Sequence, residues 1–290
     1  MPSYLVTGSK GQLGQCFHSI QDEFPQYQLL FTSKSEVDIN KSNSLSNYFK
    51  KNPFNGIINC AAYTKVEQAK TDVKEASKIN INGVRTLIQF AEAKNIKLIH
   101  FSTDFVFDGL KKGEYLEEDK TNPLSIYGQT KREGEVFLDN SCCLNITFRI
   151  SWLFSPFGDN FVKNIIKRCQ SQTILKVVKD QFGKPTYGID LARLVLTFLG
   201  HPNLFKYNLY HFAQGPKTSW FDFAKRIIEL TELSCELEPI ITSAYASDVK
   251  RPFNSALKTR RIENNLSLNI RTWESALEDC IKKIQLNENF

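Results

Sequence analysis

The chain has 290 residues, 41% hydrophobic and 23% charged, with a net charge of +6; this suits a globular protein with one large α/β domain, alone or with a smaller appendix. Its lysines are scattered among acids, as in "VEQAKTDVKEASK", which excludes a basic nucleic-acid stripe, and no apolar run reaches the length of a membrane span. The seven cysteines and four histidines show neither CxxC nor metal-ligand spacing, and "MPSYLVTG" runs straight into a strand, so the expectation is a cytoplasmic protein with reduced thiols and no metal.

The first half alternates strand and helix. "YLVTG" reads as a buried strand and is followed by a helix from about Gly11 to Ile20. "YQLLFT" is a second strand, and "SNSLSNYFKK" a helix with serines suited to its start. "GIINCAAY" reads as a third strand, and apolar spacing between Thr71 and Asn95 predicts a long helix. "IKLIHFSTD" and "LNITFRIS" complete the strands. Such alternation predicts a doubly wound, Rossmann-type parallel sheet with right-handed crossovers.

After Ser151 the pattern loosens. "DNFVKNIIKRCQ", "IDLARLVLTFLG", "SWFDFAKRIIELT" and "TWESALEDCIKKIQ" read as helices, "ILKVVKD" and "KYNLYHFA" as strands. No linker separates the halves. The division is a dinucleotide-binding domain over 1–150, with later segments returning to it, and a smaller, mainly substrate-binding α/β part over 151–290, with a cleft between them.

"VTGSKGQLG" places Gly8, Gly11 and Gly14 directly after the first strand. That position allows a tight turn, a close backbone approach to a pyrophosphate at the helix start, and close helix–sheet packing. An acid that would accept from the adenosine ribose is missing at the end of the second strand, where Thr32, Ser33 and Lys34 stand, with Lys10 within reach. This favours NADPH, with NADH tolerated.

"PLSIYGQTKREGE" holds Tyr127 and Lys131 four residues apart, one helical turn on one face. A lone Tyr-x-x-x-Lys match is an expected coincidence in this composition. The glycine loop supplies a context: an ammonium beside the phenol would lower its pKa from about 10 and suit it to proton transfer. Thr103 ends the fourth strand, at the edge where open parallel sheets bind ligands, and could hold a carbonyl beside Tyr127.

Together "VTGSKGQLG", "NCAAYTKVEQAK", "FSTDFVFDG", "NPLSIYGQTKREGE", "FRISWLF", "DQFGKPTYGIDLA" and "RPFNSALKT" resemble the dTDP-4-dehydrorhamnose reductase family of extended short-chain dehydrogenase/reductases. The resemblance implies reduction of the 4-keto group of a dTDP-linked keto-deoxy sugar, giving dTDP-L-rhamnose or a stereoisomer such as dTDP-6-deoxy-talose. Thr103, Tyr127 and Lys131 would be catalytic. Gly11, Gln12 and Leu13 would line the pyrophosphate, Asp38 and Ile39 the adenine, and Ala62, Tyr63 and Thr64 the ribose and nicotinamide. Asp104, Trp152, Arg251 and Asn254 would contact the sugar nucleotide. Asp104 could instead cap a turn, and Trp152 could be a core residue.

The sequence also departs from the family. Some members bind magnesium at a dimer interface through glutamates, where this chain has Gln15 and Cys16, which leaves that metal and a homodimer open. Lys258 replaces an acid in "NSALKT". A non-catalytic dinucleotide-binding regulatory subunit, like the β subunit of methionine adenosyltransferase, and a nucleotide-sugar epimerase are the competing readings.

Overall fold

The computed structural model describes residues 1–288. Its centre is a six-stranded, wholly parallel sheet. The first five strands are β1 (Ser3–Thr7), β2 (Gln28–Thr32), β3 (Gly56–Asn59), β4 (Lys97–Thr103) and β5 (Asn145–Ile150). The sixth, β6 (Leu209–Phe212), comes from the second half of the chain and pairs with β5. The spatial order is β6-β5-β4-β3-β1-β2.

Alternation along the strands sets the two faces. Leu5, Ile57 and Leu98 are fully buried in one cluster with Val84, Leu87 and Ile88, while Val6, Ile58 and Ile99 are fully buried in the other with Leu191, Val195 and Phe223. Burial on both faces explains why these strands read as continuous apolar runs. Each such side chain stabilises the fold by about 1.5–3 kcal/mol relative to exposure.

Helix α1 (Gln12–Ser19) leaves β1 through the glycine loop, and the Gly188–Phe198 helix from the second half packs against it. Helix α2 (Ser42–Lys51) begins after Lys41, with no side-chain cap, so the serines do not close its start as expected. The expected long helix is Val73–Ser77, Lys78–Gly83 and Val84–Lys94 (α3), with π-type spacing in the middle piece. There Asn80 accepts from Tyr63 N at 2.9 Å and donates to Thr130 Oγ1 at 3.1 Å, tying the insertion to the site. Helix α4 (Ile126–Asp139) carries Tyr127 and Lys131, its first turn capped by Ser125 accepting from Gly128 N.

β3 stops at Asn59 rather than running on to Tyr63; the chain continues as a loop that passes Gly8 at Ala61. The strand order reverses between β1 and β3, which opens a crevice at that edge. Among the described residues no helix is long and apolar enough to cross a membrane.

Candidate active site

Backbone segments approach closely at the crevice. Gly8 has φ +64°, and a Cβ there would stand 2.7 Å from Ala61 N; one on Gly14 would stand 2.5 Å from Gly8 O. Only glycine permits both approaches. They leave a cleft of about 450 Å³, lined by Gly8, Lys10, Gly11, Ser33, Lys34, Asp38, Ile39 and Ala62. An extended, polar-edged trough at a helix start fits a dinucleotide.

Not every expected residue faces it. Leu13 is 6% exposed and packs in the core, and Gln12 donates its amide to Leu153 O at 3.2 Å. Of that stretch only Gly11 lines the cleft. Tyr63 is also buried; its ring packs with Ala69 and Ala76, against Tyr127, and its hydroxyl donates to Asp72 at 3.0 Å. Thr64 is exposed beside it.

At the end of β2 the structure adds an acid that the sequence reading did not name. Glu36 Oε2 accepts from Ser33 N at 2.8 Å and Ser33 Oγ at 2.7 Å. Those two bonds hold its carboxyl below the usual range. The Ser33 hydroxyl is thus engaged with Glu36, and Lys34 pairs with Glu75 at 3.4 Å.

Past the cleft, the catalytic candidates converge. Thr103 Oγ1 donates to Asp104 Oδ1 at 3.1 Å and accepts from Phe105 N at 3.2 Å, so Thr103, not Asp104, caps the following turn. Burial pushes the Asp104 carboxyl up to about 6, against the pull of the Ser255 and Thr103 hydroxyls. Its Oδ2 is buried with no hydrogen-bond partner of good geometry, an acceptor free for a ligand hydroxyl.

Tyr127 lies edge-on to Phe105, with ring centroids 5.7 Å apart. Burial pushes its phenol up to about 12; the Thr103 hydroxyl opposes this and the Asp104 carboxylate adds to it. A phenol lowered by Lys131 was expected, and the structure differs. Lys131 Nζ donates to Phe101 O at 2.6 Å and meets His100 Nε2 at 3.2 Å.

On the other side, Trp152 adopts φ +49°, a left-handed conformation that costs a non-glycine residue about 1–2 kcal/mol. Its indole stacks on Trp220 at 3.5 Å and presses its edge on Gly183. One face is therefore already covered. Phe105, Gln181, Arg251 and Ser255 enclose a hollow of only about 10 Å³ with the two tryptophans. Arg251 is held by Glu67 at 2.5 Å, and Ser247 donates to the same carboxylate at 2.9 Å. Asn254 departs from the substrate-contact expectation: its amide donates to Lys111 O at 2.6 Å and Gly113 O at 2.7 Å, bracing a loop.

The sequence reading missed Glu36, Glu67, His100, Trp220 and Ser255. His100 had one legible signal, a lone polar ring in the apolar run of β4. Glu67 had none, because its partner lies 184 positions away.

Comparison with known proteins identifies the family. A family model described as "RmlD substrate binding domain" matches residues 3–286. A dTDP-4-dehydrorhamnose reductase of Aggregatibacter actinomycetemcomitans is 36% identical, covering 96% of this chain and 98% of that protein. The crystal structure of such a reductase from Clostridium acetobutylicum is 34% identical with a TM-score of 0.92, covering 98% of this chain and 99% of that one. The Bacillus anthracis reductase, solved in complex with NADP, is 31% identical with a TM-score of 0.91, covering 98% and 100%. A UDP-glucose 4-epimerase of Thermus thermophilus, 15% identical at TM-score 0.81, shares the fold. By the family model and by relatives over its whole length, this chain belongs to the dTDP-4-dehydrorhamnose reductase family, with a Rossmann-type fold.

Proposed function

We propose that the protein is an NADPH-dependent oxidoreductase that reduces the 4-keto group of a dTDP-4-keto-6-deoxyhexose, converting dTDP-4-dehydrorhamnose to dTDP-L-rhamnose. One observation carries the reading. Thr103, Asp104 and Tyr127 meet between a dinucleotide-sized cleft and a tryptophan-walled hollow. The homologous reductases, one of them in an NADP complex, support the cofactor and the substrate class.

Gly8 and Gly11, with the start of α1, would hold the pyrophosphate, Ser33 and Lys34 the 2′-phosphate, Asp38 and Ile39 the adenosine, and Ala62 the ribose side. When bound, NADPH supplies the hydride. Thr103 would turn its single hydroxyl proton from Asp104 Oδ1 to the substrate carbonyl oxygen, holding it beside Tyr127. Tyr127, protonated across the neutral range, gives its proton to the developing alkoxide. Asp104 takes a sugar hydroxyl on its unpartnered Oδ2. Trp152 borders the sugar, and Arg251 meets the diphosphate once it leaves Glu67. The segment 151–290, apart from β6 and the helix on α1, supplies this substrate side, and the reaction belongs in the cytoplasm.

Incubation with dTDP-4-dehydrorhamnose and NADPH, with the product identified by NMR, tests this. Formation of dTDP-L-rhamnose is expected. A 4-epimer would correct the stereochemistry, and an inert protein that still binds NADPH would favour the regulatory-subunit alternative.

A further inference from the structure

Trp152 rests on a seat that the second half of the chain builds from two directions. Its indole lies flat on that of Trp220, with ring centroids 3.5 Å apart and planes 8° from parallel. Trp220 in turn meets Phe161 at 4.4 Å, and Phe161 stacks at 5.7 Å on Phe223, which is fully buried. Phe223 meets the buried rings of Trp273 and Phe154 edge-on, at 5.4 and 5.5 Å. A column of rings thus runs from the hollow into the core.

Local sequence explains why the column stands where it does. Trp220 opens the Trp220–Thr231 helix, whose start is fixed by the Ser219 hydroxyl accepting from Asp222 N at 3.0 Å. Phe223 follows three residues later, on the same face of that helix. Phe161 opens the Phe161–Cys169 helix, capped by Asn160 accepting from Val162 N at 3.1 Å. Both Trp220 and Phe161 therefore project from helix ends that side-chain caps hold in place.

The edge of the indole is held from the other direction. A Cβ on Gly183 would stand 2.5 Å from Trp152 Cε2 and 2.7 Å from Nε1, so a larger residue would displace the ring. Gly183 and Trp220 belong to one piece. The Phe182–Gly183 strand pairs antiparallel with Thr218–Ser219, which leads directly into Trp220. The face contact and the edge contact are thus fixed relative to each other by backbone pairing. Trp152 adopts its left-handed φ of +49° against this seat, and such a conformation persists only where the surroundings over-determine it.

We infer that Trp220 and Gly183 are positioning residues for the sugar: together they seat the Trp152 indole and fix the wall on which the keto sugar packs. That role rests on the reading of Trp152 as a border of the sugar subsite; the seat does not. An indole already ordered in the empty protein loses little freedom when the sugar arrives, which strengthens binding without a new contact. With Trp152 parked, enlargement of the hollow falls to Arg251, which is paired with Glu67.

Fluorine NMR of the ligand-free protein labelled with fluorotryptophan tests the seat, since the chain has only three tryptophans. The Trp152 resonance, assigned with Trp152→Phe, should be single and sharp in the wild type and broadened or split in Trp220→Ala. An unchanged resonance would overturn the seat, whatever the protein turns over. Kinetics test its use. Trp220→Ala should raise KM for the keto sugar several-fold, change kcat less, and leave the NADPH Kd unchanged. Trp220→Phe, which offers a smaller flat ring, should restore most of the loss. In a Trp152→Ala background, Trp220→Ala should add nothing further to KM, because it acts through the missing indole. A full further rise there, or a disturbed resonance with an unmoved KM, would overturn the positioning role. Should Trp220→Ala not fold, Gly183→Ala decides instead: it should shift the same resonance and raise the same KM, and the absence of either change would overturn the proposal.

Discussion

The cleft between β1 and β3 holds about 450 Å³ and has the glycine loop, Gly8 and Gly11, and the loop after β3 along its floor, while the hollow beside Trp152 holds about 10 Å³ and is closed by large side chains. The difference has a mechanical cause. A wall of sheet-anchored loop cannot relax inward without breaking strand pairing, so the cofactor trough keeps its shape when empty. A wall of tryptophan and arginine can collapse onto itself. Here it does so through the Trp152–Trp220 stack and the Arg251–Glu67 pair. On the proposed function, the cofactor side would be preformed and the sugar side opened by its ligand, with Arg251 released from Glu67.

The largest expected effect lies where the two regions meet. Tyr127→Phe should leave NADPH binding intact and lower kcat by about 10²–10⁴-fold, since only the proton donor is lost. Near wild-type turnover in a steady-state assay would remove Tyr127 from the chemistry.

Asp104 tests whether the sugar side is strained when empty. Its folded pKa, about 6, lies above the ordinary 3.8. The folded state therefore favours the protonated form, a contribution fully present below about pH 4 and lost as pH rises through about 6. Asp104→Asn should stabilise the ligand-free protein at pH 7 by on the order of 2 kcal/mol, with the gain vanishing near pH 4, while sugar turnover falls. Equal melting temperatures of the two proteins at pH 7 would contradict this.

Trp152→Ala should raise KM for the nucleotide sugar several-fold and leave the NADPH Kd unchanged, because the indole borders only the hollow. An unchanged KM in a protein destabilised by about 3–5 kcal/mol would make Trp152 a packing residue alone.

Releasing the latch sharpens the contrast from the other direction. The Glu67–Arg251 pair is partly exposed and worth at most about 1 kcal/mol, so Glu67→Gln should lower the sugar KM by up to about fivefold. A raised KM would mean that Glu67 serves the substrate rather than competes with it.

The smallest effect belongs to the preformed side. Glu36→Gln removes a carboxylate next to Ser33 and should raise the NADPH-to-NADH affinity ratio a few-fold in paired titrations. An unchanged ratio would place the 2′-phosphate elsewhere.

Local pattern carried much of this protein. The apolar runs of β1 to β5, the glycine loop and the one-turn spacing of Tyr127 and Lys131 are decided by neighbours within a few residues, and so they are readable in order along the chain. The long helix was readable too, though not its π-spaced turn at Lys78–Gly83, whose cause is Asn80 reaching the Tyr63 backbone and Thr130. "KYNLYHFA" read as a strand, but nothing in it said that Leu209–Phe212 would complete the first half's sheet.

By itself the sequence determined the fold class and the glycine turn, because periodicity and spacing are short-range properties, and by resemblance it named Thr103, Tyr127 and Lys131 as candidates. Tertiary structure alone decided the charge environment of the candidate site. Lys131 faces His100 and Phe101 O, Ser33 faces Glu36, and Arg251 faces Glu67, each through a strand register or loop contact that residue order does not encode. Electrostatics depends on distance and on exclusion of water, and both exist only once the sheet and its helices have closed around the site.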